Sequence, residues 1–212
     1  MFLITRPIHD DIVHYLSFWS IELINQASKK GKNIIDLNDK KANKKRVTGT
    51  LNKTPIRFVM FNGHGDDNLV TGHRNEELIK SPGNEKLLQN KIVYCRSCNS
   101  AKKLGPDSVI SGADAFIGYD SEFVFVYDTR FITKPTKDKT AALFLKPTNA
   151  VVSSIIKGNT VKFSYEKSQE QFKQNISKLS SSATSDDDRE LIRYLIWDYN
   201  HQVYHGDDNA KY

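Results

Sequence analysis

An α/β fold on a mainly parallel central sheet flanked by helices, with a helical C-terminal third, is predicted by three features of the sequence. Short, near-continuous apolar runs recur between residues 2 and 119, each separated from the next by a helical or polar stretch. Strands that are apolar at consecutive positions are buried on both faces, which is the environment of a parallel sheet covered by helices. From about residue 136 the apolar spacing changes to three and four, the helical period. The 212 residues suit one domain, residues 1–212, with 136–212 as its helical part. A chain of this length buries roughly 70% of its unfolded surface, so no disulfide or metal is needed to hold it together.

The elements follow in order. Phe2–Thr5 is a strand. Pro7 and Asp10–Asp11 open a helix whose Ile12, Tyr15, Leu16, Trp19, Leu23 and Ile24 share a face as far as Lys29, where Gly31 stops it. Asn33–Leu37 is a second strand, Arg57–Asn62 a third, Lys91–Arg96 a fourth and Ala115–Tyr119 a fifth. Leu87–Leu88 close a short helix, Asp107–Ser111 lie on another, and Glu122–Tyr127 extend the fifth strand or begin a sixth. Ala141–Ile156, Tyr165–Leu179 and Asp188–Tyr204 read as helices, with Pro147 kinking or breaking the first. The run SSSATSDDD at 180–188 is a solvated loop whose end caps the last helix.

Composition narrows the function classes. The start, MFLITRP, reads as a strand and not as a signal peptide, and no apolar run approaches the roughly 18 residues of a membrane span. Two cysteines without a secretion signal point to a reducing, cytoplasmic setting. The net charge of +6 is concentrated in residues 29–57, which hold ten Lys/Arg against Asp36 and Asp39. Such a patch can attract nucleic acid. The segment lacks the aromatic residues that stack on bases, so a solvated helix–loop face is the better reading.

The chemistry gathers at two strand ends. The third strand runs into FNGHGDDN, placing His64 between Gly63 and Gly65, and the fourth runs into CRSCNSA, placing Cys98 just past its end. In an open parallel sheet the carboxyl ends of central strands carry function. If these strands are neighbours about 4.8 Å apart, an imidazole and a thiol emerge at one sheet edge. A base beside a sulfur, with backbone amides nearby for an oxyanion, is what nucleophilic cysteine catalysis needs. Cys95 and Cys98 are the only cysteines, and C-R-S-C also has the spacing of a redox pair or half a zinc site. Zinc needs two more ligands; nothing in the spacing of His64 and His73 favours them, so no metal and no cofactor is expected.

The stretches VMFNGHG, IVYCRSCNSA and KLGPDSVISGADAFIGY together resemble the caspase-like cysteine peptidases of clan CD, with the bacterial CHAT and gingipain-like domains nearest. The resemblance covers residues 57–120 and continues weakly to NHQVYHGDDNAK, where Gly206-Asp207-Asp208 departs from the Gly-Asp-Pro of those domains. It implies a three-layer caspase-like fold and a peptidase with Cys98 as nucleophile and His64 as its dyad partner. The Gly65 and Cys98 N–H groups would form the oxyanion hole, and Cys95 would be an inert, buried strand residue. No third residue is required by the family's dyad; Asn62, Asp66 and Asp67 would shape the loop.

The resemblance also implies that the residue two before the nucleophile, Arg96, lines the pocket for the side chain preceding the cut. A guanidinium there favours Asp or Glu. Asp120 and Glu122 compete with that expectation, because relatives that cut after Arg or Lys place acids there. The polar loops at 66–86, 129–140 and 180–188 are expected to be mobile and ordered by activation, with the sensor on another polypeptide. Two other classes stand beside a protein- or peptide-cleaving enzyme: an inactive caspase-like protein-interaction module, and a nucleic-acid-binding protein using residues 29–57.

Overall fold

Parallel pairing of the five apolar runs builds the centre of the molecule. The computed structural model describes residues 1–181 and 185–212. In chain order the elements are β1 (Phe2–Arg6), α1 (Asp11–Trp19), α2 (Ile21–Lys29), β2 (Ile34–Asn38), α3 (Lys44–Lys53) and β3 (Phe58–Asn62). There follow β4 (Gly65–Asp66), β5 (Leu69–Thr71), β6 (Glu77–Lys80), β7 (Ile92–Arg96), α4 (Leu104–Ile110) and β8 (Ala115–Tyr119). The C-terminal part contains α5 (Lys139–Ile156), α6 (Val161–Leu179), α7 (Asp186–His201) and β9 (Gln202–Gly206). Among the described residues the main sheet has six strands in the order β2-β1-β3-β7-β8-β9, parallel except for β9.

Alternate residues of each strand feed two cores. Leu3, Val59, Phe61, Val93, Cys95 and Phe116 face the layer containing Val47 and Leu51 of α3 and Leu104 of α4. Phe2, Phe58, Met60, Ile92, Tyr94 and Ile117 face the layer of Leu23 and Ala27 of α2 and Val151, Val152 and Ile155 of α5. The predicted three-layer, mainly parallel architecture is therefore present.

Several local expectations are corrected. The helix expected through Lys29 is two helices, because Ser20 Oγ–H bonds back to the Leu16 carbonyl at 2.7 Å while that carbonyl also accepts from Arg96. Residues 66–86 are not a bare loop. Val70, Leu78 and Ile79 are buried, and β4, β5 and β6 pair antiparallel as a small second sheet. The 129–140 segment is pinned by Asp138, which is 1% exposed; its carboxylate caps Thr140 and Ala141 and accepts from Tyr15 and the Asp128 N–H. Residues 182–184 of the third expected mobile loop lie outside the described residues, and the last helix begins earlier than expected: Ser185 caps α7, whose first turn takes in Asp186–Asp188.

Pro147 does not end the helix; α5 runs through it. The N–H that proline lacks would have bonded the carbonyl of Leu143, and Asn175 Nδ2 of α6 supplies that bond instead at 2.6 Å. Glu122–Tyr127 form no strand. Their Phe123 and Phe125 rings join Tyr15, Tyr119 and Phe144 in a third cluster under α1, α5 and α7. Finally, helix α7 stops at His201, and Gln202–Gly206 turn into the antiparallel edge strand on β8.

Candidate active site

β3 and β7 are neighbours, and their register pairs Asn62 with Arg96. His64 and Cys98 each lie two residues beyond that pair, so both leave the sheet at the same edge. The loops touch: a Cβ on Gly65 would come within 2.5 Å of the Cys98 carbonyl oxygen and 2.9 Å of Ser97 Oγ. Gly63 is under the same constraint from the Thr71 carbonyl, 2.0 Å from such an atom. Both glycines are demanded by this close backbone approach.

A carboxylate not singled out for the site in the sequence completes the arrangement. Asp10, at the N-cap of α1, accepts from the Val13 N–H on Oδ1 at 3.0 Å, and its Oδ2 lies 2.8 Å from His64 Nε2. A carboxylate only accepts, so the proton of a neutral His64 resides on Nε2 and Nδ1 keeps its lone pair. Burial opposes ionisation of Asp10, but the Val13 N–H and the His64 hydrogen bond and charge outweigh it and hold the carboxyl below its ordinary value. The sequence offered Asp10 only as a helix opener; its 54-residue separation from His64 is bridged by the pairing of β1 with β3.

Cys98 is partly buried against the aromatic cluster, and its S–H points to the Phe123 carbonyl at 3.8 Å. Burial raises the thiol above its ordinary value. The Phe123 contact offsets part of this, and the charges of Glu122 and Asp198 push it up further. Cys95 is wholly buried in β7, and burial raises its thiol strongly. The two thiols are not a disulfide.

Arg96 is not at a substrate pocket. It is 0% exposed, and every donor is used: Nε and Nη2 to Asn62 Oδ1, Nη1 to Thr148 Oγ1 and Asn149 Oδ1, Nη2 also to the Leu16 carbonyl and Ser20 Oγ, all at 2.7–3.1 Å. The side chain of the last β7 residue points back into the layer between the sheet, α1 and α5. Burial without a contacting carboxylate lowers its pKa to about 10.

The remaining candidates are placed as follows. Asp120 pairs with His201 Nδ1 at 2.8 Å. Glu122 is exposed, and its carbonyl accepts from Trp197. Behind them Asp198 is fully buried, receives the Val124 N–H on Oδ1, and has a raised pKa through burial. Asp67 pairs with Lys102, Asp66 accepts from the Asp67 N–H, and Asn62 serves Arg96 and the Thr5 carbonyl. Asp66 and Asp67 therefore lie in loop contacts, whereas Asn62 belongs to the buried Arg96 network rather than to the loop.

The likeness to known proteins lies in the fold. No family model matches the sequence, and no curated protein matches it. Among solved structures it is similar to the Arg-specific cysteine proteinase gingipain R (RgpB), with a TM-score of 0.62 and 13% identity over 99% of this chain. The complex of the Porphyromonas gingivalis RgpB pro- and mature domains gives a TM-score of 0.60 and 11% identity over 98%. The chain spans just under half of those two structures, 46% and 47%.

Proposed function

From the caspase-like fold of the clan CD cysteine proteases, we propose that this chain is a cysteine peptidase acting through Cys98 and His64. The observation that carries the reading is the equal offset of the two residues beyond the paired Asn62 and Arg96, with Gly65 seated on the Cys98 backbone. Cys98 Sγ attacks the peptide carbonyl carbon as its proton passes to His64 Nδ1. The tetrahedral oxyanion is held by the Gly65 and Cys98 N–H groups. The C–N bond breaks, Nδ1 returns the proton to the leaving amine, and a thioester remains. Water then attacks the thioester, gives its proton to Nδ1, and releases the carboxylic acid and the thiol.

Asp10 has a positioning role: it accepts from Nε2 and fixes the tautomer that leaves Nδ1 basic. The raised Cys98 pKa means the thiol is protonated at rest, so proton transfer accompanies attack. With Arg96 buried, the expected preference for Asp or Glu loses its carrier. Of the two acids near Cys98, Asp198 is fully buried and only Glu122 is exposed to a substrate side chain. A Lys or Arg before the cut is therefore the reading favoured now, and a fluorogenic peptide panel that shows faster cleavage after Asp would reject it.

The deciding experiment is labelling by an acyloxymethyl-ketone probe in wild type, Cys98→Ala, Cys95→Ala and His64→Ala proteins. Labelling and peptide hydrolysis should vanish in Cys98→Ala, persist in Cys95→Ala, and fall at least about 100-fold in His64→Ala. Labelling that survives Cys98→Ala sinks the proposal.

A further inference from the structure

The loop that follows β1 brings a second histidine to the same edge. His9 Nε2 lies 3.4 Å from Asp10 Oδ2, the oxygen that His64 Nε2 also approaches, to 2.8 Å. The three atoms fall within 4.8 Å of one another. One carboxylate oxygen is thus shared by two imidazole nitrogens, from segments following two paired strands.

We propose that His9, Asp10 and His64 form a binding site for a divalent cation of the zinc class, and that its occupancy switches the dyad off. Two imidazoles and a carboxylate with a fourth position open is a donor set that zinc accepts. Around a tetrahedral ion the donor atoms stand about 3.3 Å apart, given metal–ligand distances near 2.0–2.1 Å. The two observed separations to Asp10 Oδ2 bracket that value, and the two imidazole nitrogens, within 4.8 Å of each other, close toward it as the ion binds. The site is held before any ion arrives. Asp10 Oδ1 is fixed by the Val13 N–H, which leaves Oδ2 as the ligand, while His9 Nε2 gives up its 3.2 Å contact with Asn75 Oδ1 when it takes the ion. The His9 side chain is 12% exposed, and among the described residues its Nδ1 is buried without a hydrogen-bond partner. The His9 proton can therefore move from Nε2 to Nδ1 without breaking a hydrogen bond there.

Inhibition follows from proton bookkeeping and rests on the peptidase reading above. When His64 Nε2 gives its lone pair to the ion, the ring's proton moves to Nδ1. Nδ1 is then a donor only and cannot take the Cys98 proton, and Asp10 is drawn from its role at Nε2. No redox step is involved, and a chelator reverses the change.

Titration of zinc chloride into the full chain, followed by calorimetry, tests the site without requiring activity. One equivalent should bind to wild type and equally to Cys98→Ala, while His9→Gln and His9→Ala bind at least about 10-fold more weakly. His9→Gln keeps a polar side chain of similar reach, so one folded variant remains if the alanine protein misfolds. Binding lost in Cys98→Ala would put the ion on the thiol, and unchanged binding in the folded His9 variant, or none in wild type, overturns the site. In the second arm, zinc should suppress wild-type peptide hydrolysis, and His9→Gln, measured against its own zinc-free rate, should need at least about 10-fold more zinc. Zinc bound with hydrolysis unaffected overturns the switch. Hydrolysis absent from the metal-free wild type overturns the peptidase reading, while the Cys98→Ala titration still decides the site.

Discussion

Two polar clusters stand at the carboxyl edge of the same sheet, and they differ in how completely they are satisfied. Around Arg96, a fully buried guanidinium spends all its donors on Asn62, Thr148, Asn149, Ser20 and a backbone carbonyl. Around Asp10, partly exposed groups keep atoms in reserve: His64 Nδ1, the Asp10 oxygen shared by two rings, and a buried His9 nitrogen that has no partner among the described residues. Complete satisfaction in a dry layer makes a rigid joint between sheet, α1 and α5. Incomplete satisfaction at the rim leaves groups able to take up a proton or a ligand. The residue nearest the nucleophile in sequence belongs to the first kind, and a distant aspartate belongs to the second.

The largest effect expected from this contrast is on stability. Arg96→Leu leaves Asn62, Thr148, Asn149 and Ser20 without their buried partner and should cost about 3–5 kcal/mol in urea unfolding. Probe labelling per folded molecule should stay near normal in conditions where the variant is folded. A variant that unfolds like wild type but no longer labels would return Arg96 to the substrate pocket and break the comparison.

Gly65 lies between the clusters and should fail in both respects. Its alanine methyl would stand 2.5 Å from the Cys98 carbonyl oxygen, a backbone atom that cannot swing aside. Gly65→Ala should cost roughly 1–3 kcal/mol and shift the turn that carries Cys98, so labelling falls with stability. Stability at the wild-type level would show that the loops do not meet there.

Legibility followed periodicity. The five parallel strands, the His64 and Cys98 strand ends and the buried Cys95 could be read because apolar runs ending in a glycine or small-residue turn have one structural meaning. Arg96 departs from what the resemblance implies because a long side chain at a strand's last residue can turn inward, and here Thr148 and Asn149 of α5 take its donors. Asp10 was legible as a cap and silent as a His64 partner, since that pairing exists only once β1 lies beside β3. β9 was hidden because Gln202–Tyr204 continue the apolar spacing of α7, and only docking on β8 selects the strand. Pro147 carried a local rule that Asn175, 28 positions away, cancels.

Asp10→Asn should move activity and leave stability nearly alone. Asparagine caps a helix about as well as aspartate, so its Oδ1 can keep the Val13 N–H and unfolding should shift by less than about 0.5 kcal/mol. The amide nitrogen then faces His64 Nε2 as a donor, which moves the imidazole proton to Nδ1 and removes the base. The turnover number should fall roughly 100-fold, with KM little changed. An equal loss of stability and activity would make Asp10 a cap alone.

The smallest effect concerns the resting thiol. Because Cys98 is raised above the ordinary thiol value of 9.0, its folded form holds a proton that the unfolded chain releases earlier as pH rises. Its contribution to stability is thus whole below pH 9 and fades as the pH climbs through the folded value. In the absence of peptide, iodoacetamide should modify Cys98 slowly at pH 7 and faster along a curve whose midpoint lies above pH 9, while Cys95 stays unmodified in the folded protein. Mass spectrometry of the Cys95 and Cys98 peptides separates the two. Rapid modification of Cys98 at pH 7 would mean that His64 already holds its proton, and the rim cluster would then be a preformed ion pair.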